Sequence, residues 1–335
     1  MSQIDNRPAL GKRVGHDFRL DAIARGNGAI LALIVILAFN AVFTQHFLSL
    51  QTLNVNLTQV CTIVIVAIGM NFVIATGGID LSVGSLMAIS GVLAPLIFLG
   101  KFVHLQPAYV AVAVAIGCSI ACAGVLGLFN GWLVSRFKIQ PIVATLVLFI
   151  SGRGIAQILT DGNLQTFHVP EFQWIGLGKI VGIPIQVVIM LVLIAFASWV
   201  IRRTTFGRNL LAVGGNEKAA TLSGLPVKRI KLIAYMASGL CAGFAGLVVI
   251  AINSASDANL VGLGMELDAI AAVAVGGTAL SGGEARIFGT LVGALIIQLI
   301  RYTLLANGVP DAAALVVKAA IIAFAVWVQQ TRGRR

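Results

Sequence analysis

What this chain has least of is charge. Asp, Glu, Lys and Arg make up 10% of its 335 residues, twelve of them acidic, against 59% apolar residues and a mean hydropathy of +0.99. That balance excludes an ordinary soluble domain and points to a chain that crosses a membrane several times. Phosphate-cradling loops are missing as well: no G-x-x-x-x-G-K-[ST] occurs, and Gly11-Lys12, Gly100-Lys101 and Gly178-Lys179 are each followed by the wrong residue. The chain is therefore no P-loop ATPase. G-x-S-G and H-E-x-x-H are absent too, which removes the commonest intramembrane protease sites. The four histidines (His16, His46, His104, His168) sit in tails, span edges or loops with no second ligand at useful spacing. The four cysteines (Cys61, Cys118, Cys122, Cys241) fall in apolar runs, and the Cys118/Cys122 pair has no further Cys or His beside it. Small apolar packing residues are the reading, not a metal site or disulfide, and no cofactor is expected.

What is there is a series of apolar runs, each near the twenty or so residues that a membrane-crossing helix needs. They lie near 29–48, 57–76, 84–100, 108–134, 141–159, 184–201, 230–252, 265–280, 287–305 and 312–328. The expected fold is an all-α polytopic membrane protein: about ten transmembrane helices in one domain (29–328), between a polar tail (1–28) and a basic tail (329–335). The polar lead is long, carries Asp5, Asp17 and Asp21, and no small-x-small site follows the first run, so a retained first helix is expected, not a cleaved signal peptide.

The net charge of +11 is distributed by side. Eighteen of the 23 basic residues fall in segments that share one face if ten helices alternate: Arg7 to Arg25, Arg136 and Lys138, seven in 202–231, Arg286, and Arg332 to Arg335. The opposite side holds Lys101 and Lys179; Arg153, Arg301 and Lys318 lie within spans. This is the positive-inside signature with both termini cytoplasmic, and it removes the need for a nucleic-acid surface.

A short repeat carries more information. Residues 77–84, GGIDLSVG, and 276–283, GGTALSGG, both read Gly-Gly-x-x-Leu-Ser-x-Gly, and Ala75 aligns with Ala274. Each copy ends a run travelling inward and precedes a run going back out, which implies a parallel repeat of membrane helices. Gly-Gly lets a chain leave helical geometry, and backbone freed at membrane depth must be buried in protein or line a watery cavity. Gly77, Gly78, Gly276 and Gly277 thereby mark a candidate solute path, with Asn71, Thr76, Ser82, Thr278 and Ser281 able to offer transient hydrogen bonds. The plainer alternative is a pair of cytoplasmic turns in which Asp80 or Ser82 caps the next helix.

Three carboxylates fall in or near the membrane: Asp80, Glu266 and Asp268. An acidic residue at the bilayer centre costs roughly 2.5–3.5 kcal/mol on insertion scales, so each needs a reason. Ala279 replaces Asp80 in the second copy, so the carboxylate is not part of what repeats.

The longest polar interruption is 202–229. Gly214-Gly215-Asn216 reads as a turn, Glu217–Ser223 as a short helix, and Gly224-Leu225-Pro226 as its stop. Ala219 and Ala220 leave a flat surface suited to docking by another protein; a solvated connector is the alternative.

These segments resemble the permease subunits of bacterial ABC importers for ribose, xylose, arabinose and related sugars. The resemblance rests on GMNFVIATGGIDLSVGSLMAISG (69–91), KIQPIVATLVL (138–148), GRNLLAVGGNEKAATLSG (207–224), MELDAIAAVAVGGTALSGGEARIFGTLVGALI (265–296) and VVKAAII (316–322). Within that family, GRGIAQILTDG (152–162) and DANLVGLGMELDAI (257–270) look most like the galactofuranose-type permease. The resemblance implies an inner-membrane subunit that passes a monosaccharide and is no enzyme itself. It also implies a cytoplasmic ABC ATPase, a periplasmic sugar-binding protein meeting loops 101–107, 161–183, 253–264 and 305–311, and a second permease copy or paralogue. Asn216–Gly224 becomes the coupling helix, with Gly207 before it in the same ATPase-facing segment: Ala219, Ala220 and Gly224 fit the wider class's pattern, while Lys218 stands where that class has Glu, with Glu217 one place early. An ion-coupled secondary transporter using Asp80 or Glu266 and a branched-chain amino acid permease are the alternatives.

Overall fold

The computed structural model describes residues 17–310, 312–320 and 323, with side chains from residue 28 onward. The expected tail 329–335, residues 1–16 of the N-terminal tail and much of the expected 312–328 span lie outside the described residues.

The described chain is a polytopic helical membrane protein. Its longer helices are α1 (Asp17–Phe43), α2 (Leu50–Ala75), α3 (Val83–Phe98), α4 (Ala108–Phe137) and α5 (Pro141–Thr160). After the short α6 (Pro170–Leu177) come α7 (Ile185–Arg203), α8 (Thr205–Gly215), α9 (Glu217–Leu222), α10 (Val227–Asn253), α11 (Met265–Val275) and α12 (Ile287–Ala306). Residues 312–320 are helical again, as α13. Six helices, α2, α4, α5, α7, α10 and α12, are long and apolar enough to cross a membrane; α3 and the described part of α1 are apolar but shorter.

At the centre is α2. Ser49 Oγ accepts from Thr52 N–H (3.1 Å) to cap its start, and every residue from Val60 to Ala75 is buried. A helix apolar on all sides and buried on all sides belongs in a core. Around it, α10 packs on α2, α3 and α4. The α4–α10 contact is made by small residues: Gly127 and Gly131 face Gly239 and Tyr235, so the backbones approach closely. Membrane helices, which gain little from hydrophobic burial against one another, favour such contacts. On α4, α5 and α7 the outward faces stay exposed and apolar, as at Phe129, Ile150 and Phe196.

Polar side chains tie the remaining helices. Asn40 of α1 donates to Thr303 Oγ1 of α12 (2.7 Å), and Gln298 of α12 donates to Gln59 Oε1 of α2 (2.5 Å). Two two-residue antiparallel ladders complete the fold. β1 (Gln165–Thr166) pairs with β4 (Ala255–Ser256), Gln165 opposite Ser256, joining the loop after α5 to the loop after α10. β2 (Lys179–Ile180) and β3 (Ile183–Pro184) form a small hairpin before α7.

Two regions differ from what their composition suggests. The 202–229 segment holds two helices, α8 and α9, where sequence leads one to expect a turn followed by one short helix. In α8, Phe206, Leu210 and Val213 turn inward at helical spacing, a signal that the surrounding glycines and charges obscure. The 265–280 run is helical only as far as Val275.

Candidate functional site

Both glycine pairs sit at helix ends, and both ends are built alike. After α2, Gly78 N–H donates to Val73 O (3.2 Å) and Gly77 N–H to Ile74 O (2.8 Å), with Gly77 at φ +80°. After α11, Thr278 N–H donates to Val273 O (3.2 Å) and Gly277 N–H to Ala274 O (2.9 Å), with Gly277 at φ +84°. This is the same Schellman cap twice, with glycine in the left-handed position that a Cβ disfavours. The geometry pairs Gly77 with Gly277, one residue away from the alignment that places Gly77 over Gly276. Thr76 therefore corresponds to Gly276, and Gly78 to Thr278.

Asp80 lies in the first break with no exposed surface. Its Oδ1 accepts from Ser82 N–H (3.0 Å) and Ser82 Oγ (2.6 Å), and its Oδ2 from Ser238 Oγ of α10 (2.8 Å). Asn130 Nδ2 of α4 donates in turn to Ser82 Oγ (2.8 Å). The carboxylate thus fixes its own turn and ties it to α10, with α4 one bond further on. Nearby, Leu81 N–H donates to Thr145 Oγ1 of α5 (3.1 Å), and Ser85 Oγ to Leu148 O (2.9 Å). One short loop is held by three helices.

The second break is tied differently. Asn71 Nδ2 of α2 donates to Thr278 Oγ1 (3.2 Å) and to Thr290 Oγ1 of α12 (2.7 Å), and Arg286 N–H donates to Thr278 Oγ1 (3.1 Å). Asn71, Thr278 and Thr290 are all buried. Thr76 is buried with its hydroxyl donating to Val73 O (2.8 Å), Ser281 is exposed, and Gly276 packs its backbone on Gly289 of α12.

Glu266 and Asp268 lie at the other end of α11, away from the glycine turn that ends it. Both are buried; Asp268 pairs with Lys318 of α13 at 2.6 Å. Glu266 packs over Gly84 at the start of α3, where an added Cβ would stand 2.5 Å from Glu266 Oε2. Beside it is Arg153 of α5, a residue that sequence reasoning placed in a span and left without a role. Arg153 Nη1 donates to Ala258 O (2.8 Å) and Val261 O (2.6 Å), two carbonyls of the non-helical segment before α11. Ala258 and Val261 are themselves buried. Irregular backbone inside a membrane protein needs partners, and this guanidinium supplies them. An arginine in an apolar run was the available signal; which carbonyls it serves was not.

The 202–229 segment is compact. Thr204 Oγ1 accepts from Gly207 N–H (3.1 Å) to start α8, and Asn216 Oδ1 accepts from Ala219 N–H (3.0 Å) to start α9. Gly224, at φ +78°, closes α9: Leu225 N–H reaches Ala220 O (3.1 Å) and Gly224 N–H reaches Thr221 O (3.1 Å). Glu217 pairs with Lys231 at 2.8 Å. Ala220 is the one buried residue of α9; Lys218, Ala219, Thr221 and Leu222 are exposed. Gly207 packs against the carbonyls that end α7, where a side chain would collide. Among the described residues, no three His, Cys, Asp or Glu side chains group as metal ligands do.

Comparison with known proteins fits this arrangement. The family model described as the branched-chain amino acid transport system permease component matches residues 53–326. The galactofuranose transporter permease protein YtfT of Escherichia coli (strain K12) is 38% identical over 92% of this chain and 90% of its own length. The ribose import permease protein RbsC is 37% identical in the same organism, over 91% of this chain and 93% of its own length. RbsC of Bacillus subtilis (strain 168) is 39% identical over 93% of this chain and 95% of its own length. No solved structure matches the chain. A match along nearly the whole chain, to a family and to relatives that are all transport permeases, establishes that this protein belongs to that permease-component family.

Proposed function

We propose that the protein is the membrane-spanning permease of an ATP-binding-cassette importer for a monosaccharide of the ribose or galactofuranose kind, and no enzyme itself. The observation that carries this is the identity of 37–39% with permeases named for those sugars, over at least nine-tenths of both chains. The family model is described by amino acid transport, so the sugar reading leans on the relatives. The test is uptake by the permease reconstituted with its ATPase and binding protein. ATP-dependent accumulation of labelled ribose, xylose, arabinose or galactofuranose is expected; uptake of leucine but of none of these sugars would overturn the reading.

We read the architecture as ten spans with both termini in the cytoplasm of a bacterial inner membrane. The β1–β4 ladder supports a shared face for loops 161–183 and 253–264, where the binding protein would dock. The hydrogen bond from Gly283 N–H to Ala75 O, with Gly214 beside it, supports a second shared face for both glycine turns and the basic 202–229 segment. Eleven residues of α11 reach about 16 Å, half of a 30 Å hydrocarbon core, so the non-helical residues before it complete that span.

In this reading α9 enters a groove of the ATPase, presenting Lys218, Ala219 and neighbouring exposed residues. Asn216 and Gly224 hold its ends, and Ala220 seats it. The solute path runs past the two breaks, which Asn71, Thr76, Asp80, Ser82 and Thr278 hold in shape. Gly77 and Ser281 face outward from them, and Glu266 and Asp268 lie further along. A second permease, identical or paralogous, would close the path against the exposed apolar helices. Co-purification of the native complex would identify that partner.

A further inference from the structure

The two glycine turns and the α8–α9 elbow meet in one place. Gly283 N–H donates to Ala75 O at 3.0 Å, joining the second break to the last residue of α2. Gly214, in the last turn of α8, lies so close that an added Cβ would overlap Ala75 O and stand 2.5 Å from Gly283 N. A Cβ on Gly282 would stand 2.7 Å from Gly77 N and 3.0 Å from Gly214 O. Three segments that are 137 and 69 residues apart in sequence, counted between Gly77, Gly214 and Gly283, thus touch backbone to backbone. Nothing compressible separates them. Three residues beyond Gly214, α9 begins, with Ala220 alone of its residues buried.

We propose that this junction is the relay between ATP hydrolysis and the transport path. Movement of α9 passes through the Gly214 elbow to Ala75 and Gly282–Gly283, and so shifts both breaks together. Gly214 is a positioning residue: it touches neither sugar nor nucleotide, and acts through the backbones it abuts. Contacts of bare backbone transmit displacement because close-packed interiors switch between discrete arrangements more readily than they deform. The proposal rests on the reading of α9 as the ATPase-docking helix.

The test compares Gly214→Ala with Gly215→Ala, neighbours in the same helix. An added Cβ at Gly215 meets nothing within 4 Å, whereas at Gly214 it forces the junction apart. Each variant is reconstituted with its ATPase and binding protein, and labelled sugar imported per ATP hydrolysed is measured with a sugar that the wild type imports. For Gly214→Ala that ratio is expected to fall about tenfold or more while hydrolysis continues, a typical size for loss of an allosteric coupling. Gly215→Ala keeps the wild-type ratio. An unchanged ratio in Gly214→Ala overturns the relay.

Should Gly214→Ala fail to assemble, hydrogen exchange on the wild-type complex decides. Amides of 75–78 and 281–284 must change together with 214–222 between the nucleotide-free and vanadate-trapped states; change confined to α9 overturns the proposal. A photo-crosslinker at Leu222 separates the two readings. Capture of the ATPase with an unchanged ratio removes the relay alone, whereas no capture removes the docking role and the relay with it.

Discussion

The two breaks begin identically and then part company. Each follows a Schellman cap with glycine in the left-handed region, yet α3 starts six residues after Gly77 and α12 ten residues after Gly277. The first loop is short and largely buried apart from Gly77, and is anchored through Asp80 and Ser82 to α10 and α4. The second is longer and half-exposed, anchored mainly through Thr278, with Ser281 and Glu284 facing outward. The cap is what the repeat preserved. Rigidity was added to one copy only, by a carboxylate with three hydrogen-bond donors.

The sharpest way to break that contrast is Asp80→Ala. It strips the partners from Ser82 and Ser238 in a fully buried site, at about 3 kcal/mol or more. Loss of folded protein in detergent, followed by thermal unfolding, is the measurement. Asp80→Asn retains a side chain that can accept from Ser82 and is expected to recover much of the loss. If Asp80→Ala unfolds like the wild type, the first break is no more anchored than the second.

Arg153→Ala ranks next, since it abandons the buried carbonyls of Ala258 and Val261, at about 2 kcal/mol. Exchange protection should fall first across residues 255–264, and protection there equal to wild type would refute the role. Asn71→Leu cuts the first half of the protein from Thr278 and Thr290, and a loss of about 1–2 kcal/mol is expected. That loss should loosen the second break more than the first.

Gly77→Ala and Gly277→Ala form the matched pair. At both, an added Cβ meets only ordinary contacts, at 3.4 Å and 3.6 Å, so strain at positive φ is the whole penalty. Each should cost about 1 kcal/mol, and the two values should agree. Unequal costs would show that the caps are not equivalent. Ser281→Ala, at an exposed position of the second loop, should change stability by less than about 0.5 kcal/mol.

Much of the site was legible because it is local. Gly-Gly in apolar surroundings announces a helix end, and Asn216 and Gly224 bracket α9 by ordinary capping chemistry. Even there, reading identities placed the repeat one residue out of register, because the sequence match follows residues while the cap follows φ. Glu266 and Asp268 were conspicuous as carboxylates, but Arg153 and Lys318, which lie beside or pair with them, come from α5 and α13. Partners more than a hundred residues apart, such as Arg153 and Ala258, leave no periodicity to read.

What the sequence determined by itself is the class of the molecule: apolar runs long enough for a bilayer, few charges, and glycine pairs where helices stop. Each of these is settled within a few residues, by solvation and backbone geometry. What only the tertiary structure decided is which distant groups meet. Asp80 is buried because Ser238 reaches it across 158 positions, and the carbonyls before α11 are satisfied because α5 delivers an arginine. The two breaks touch the α8–α9 elbow because glycine at 214, 282 and 283 lets three backbones occupy space that side chains would fill. Close packing of remote segments is a property of the folded chain, and local composition carries no record of it.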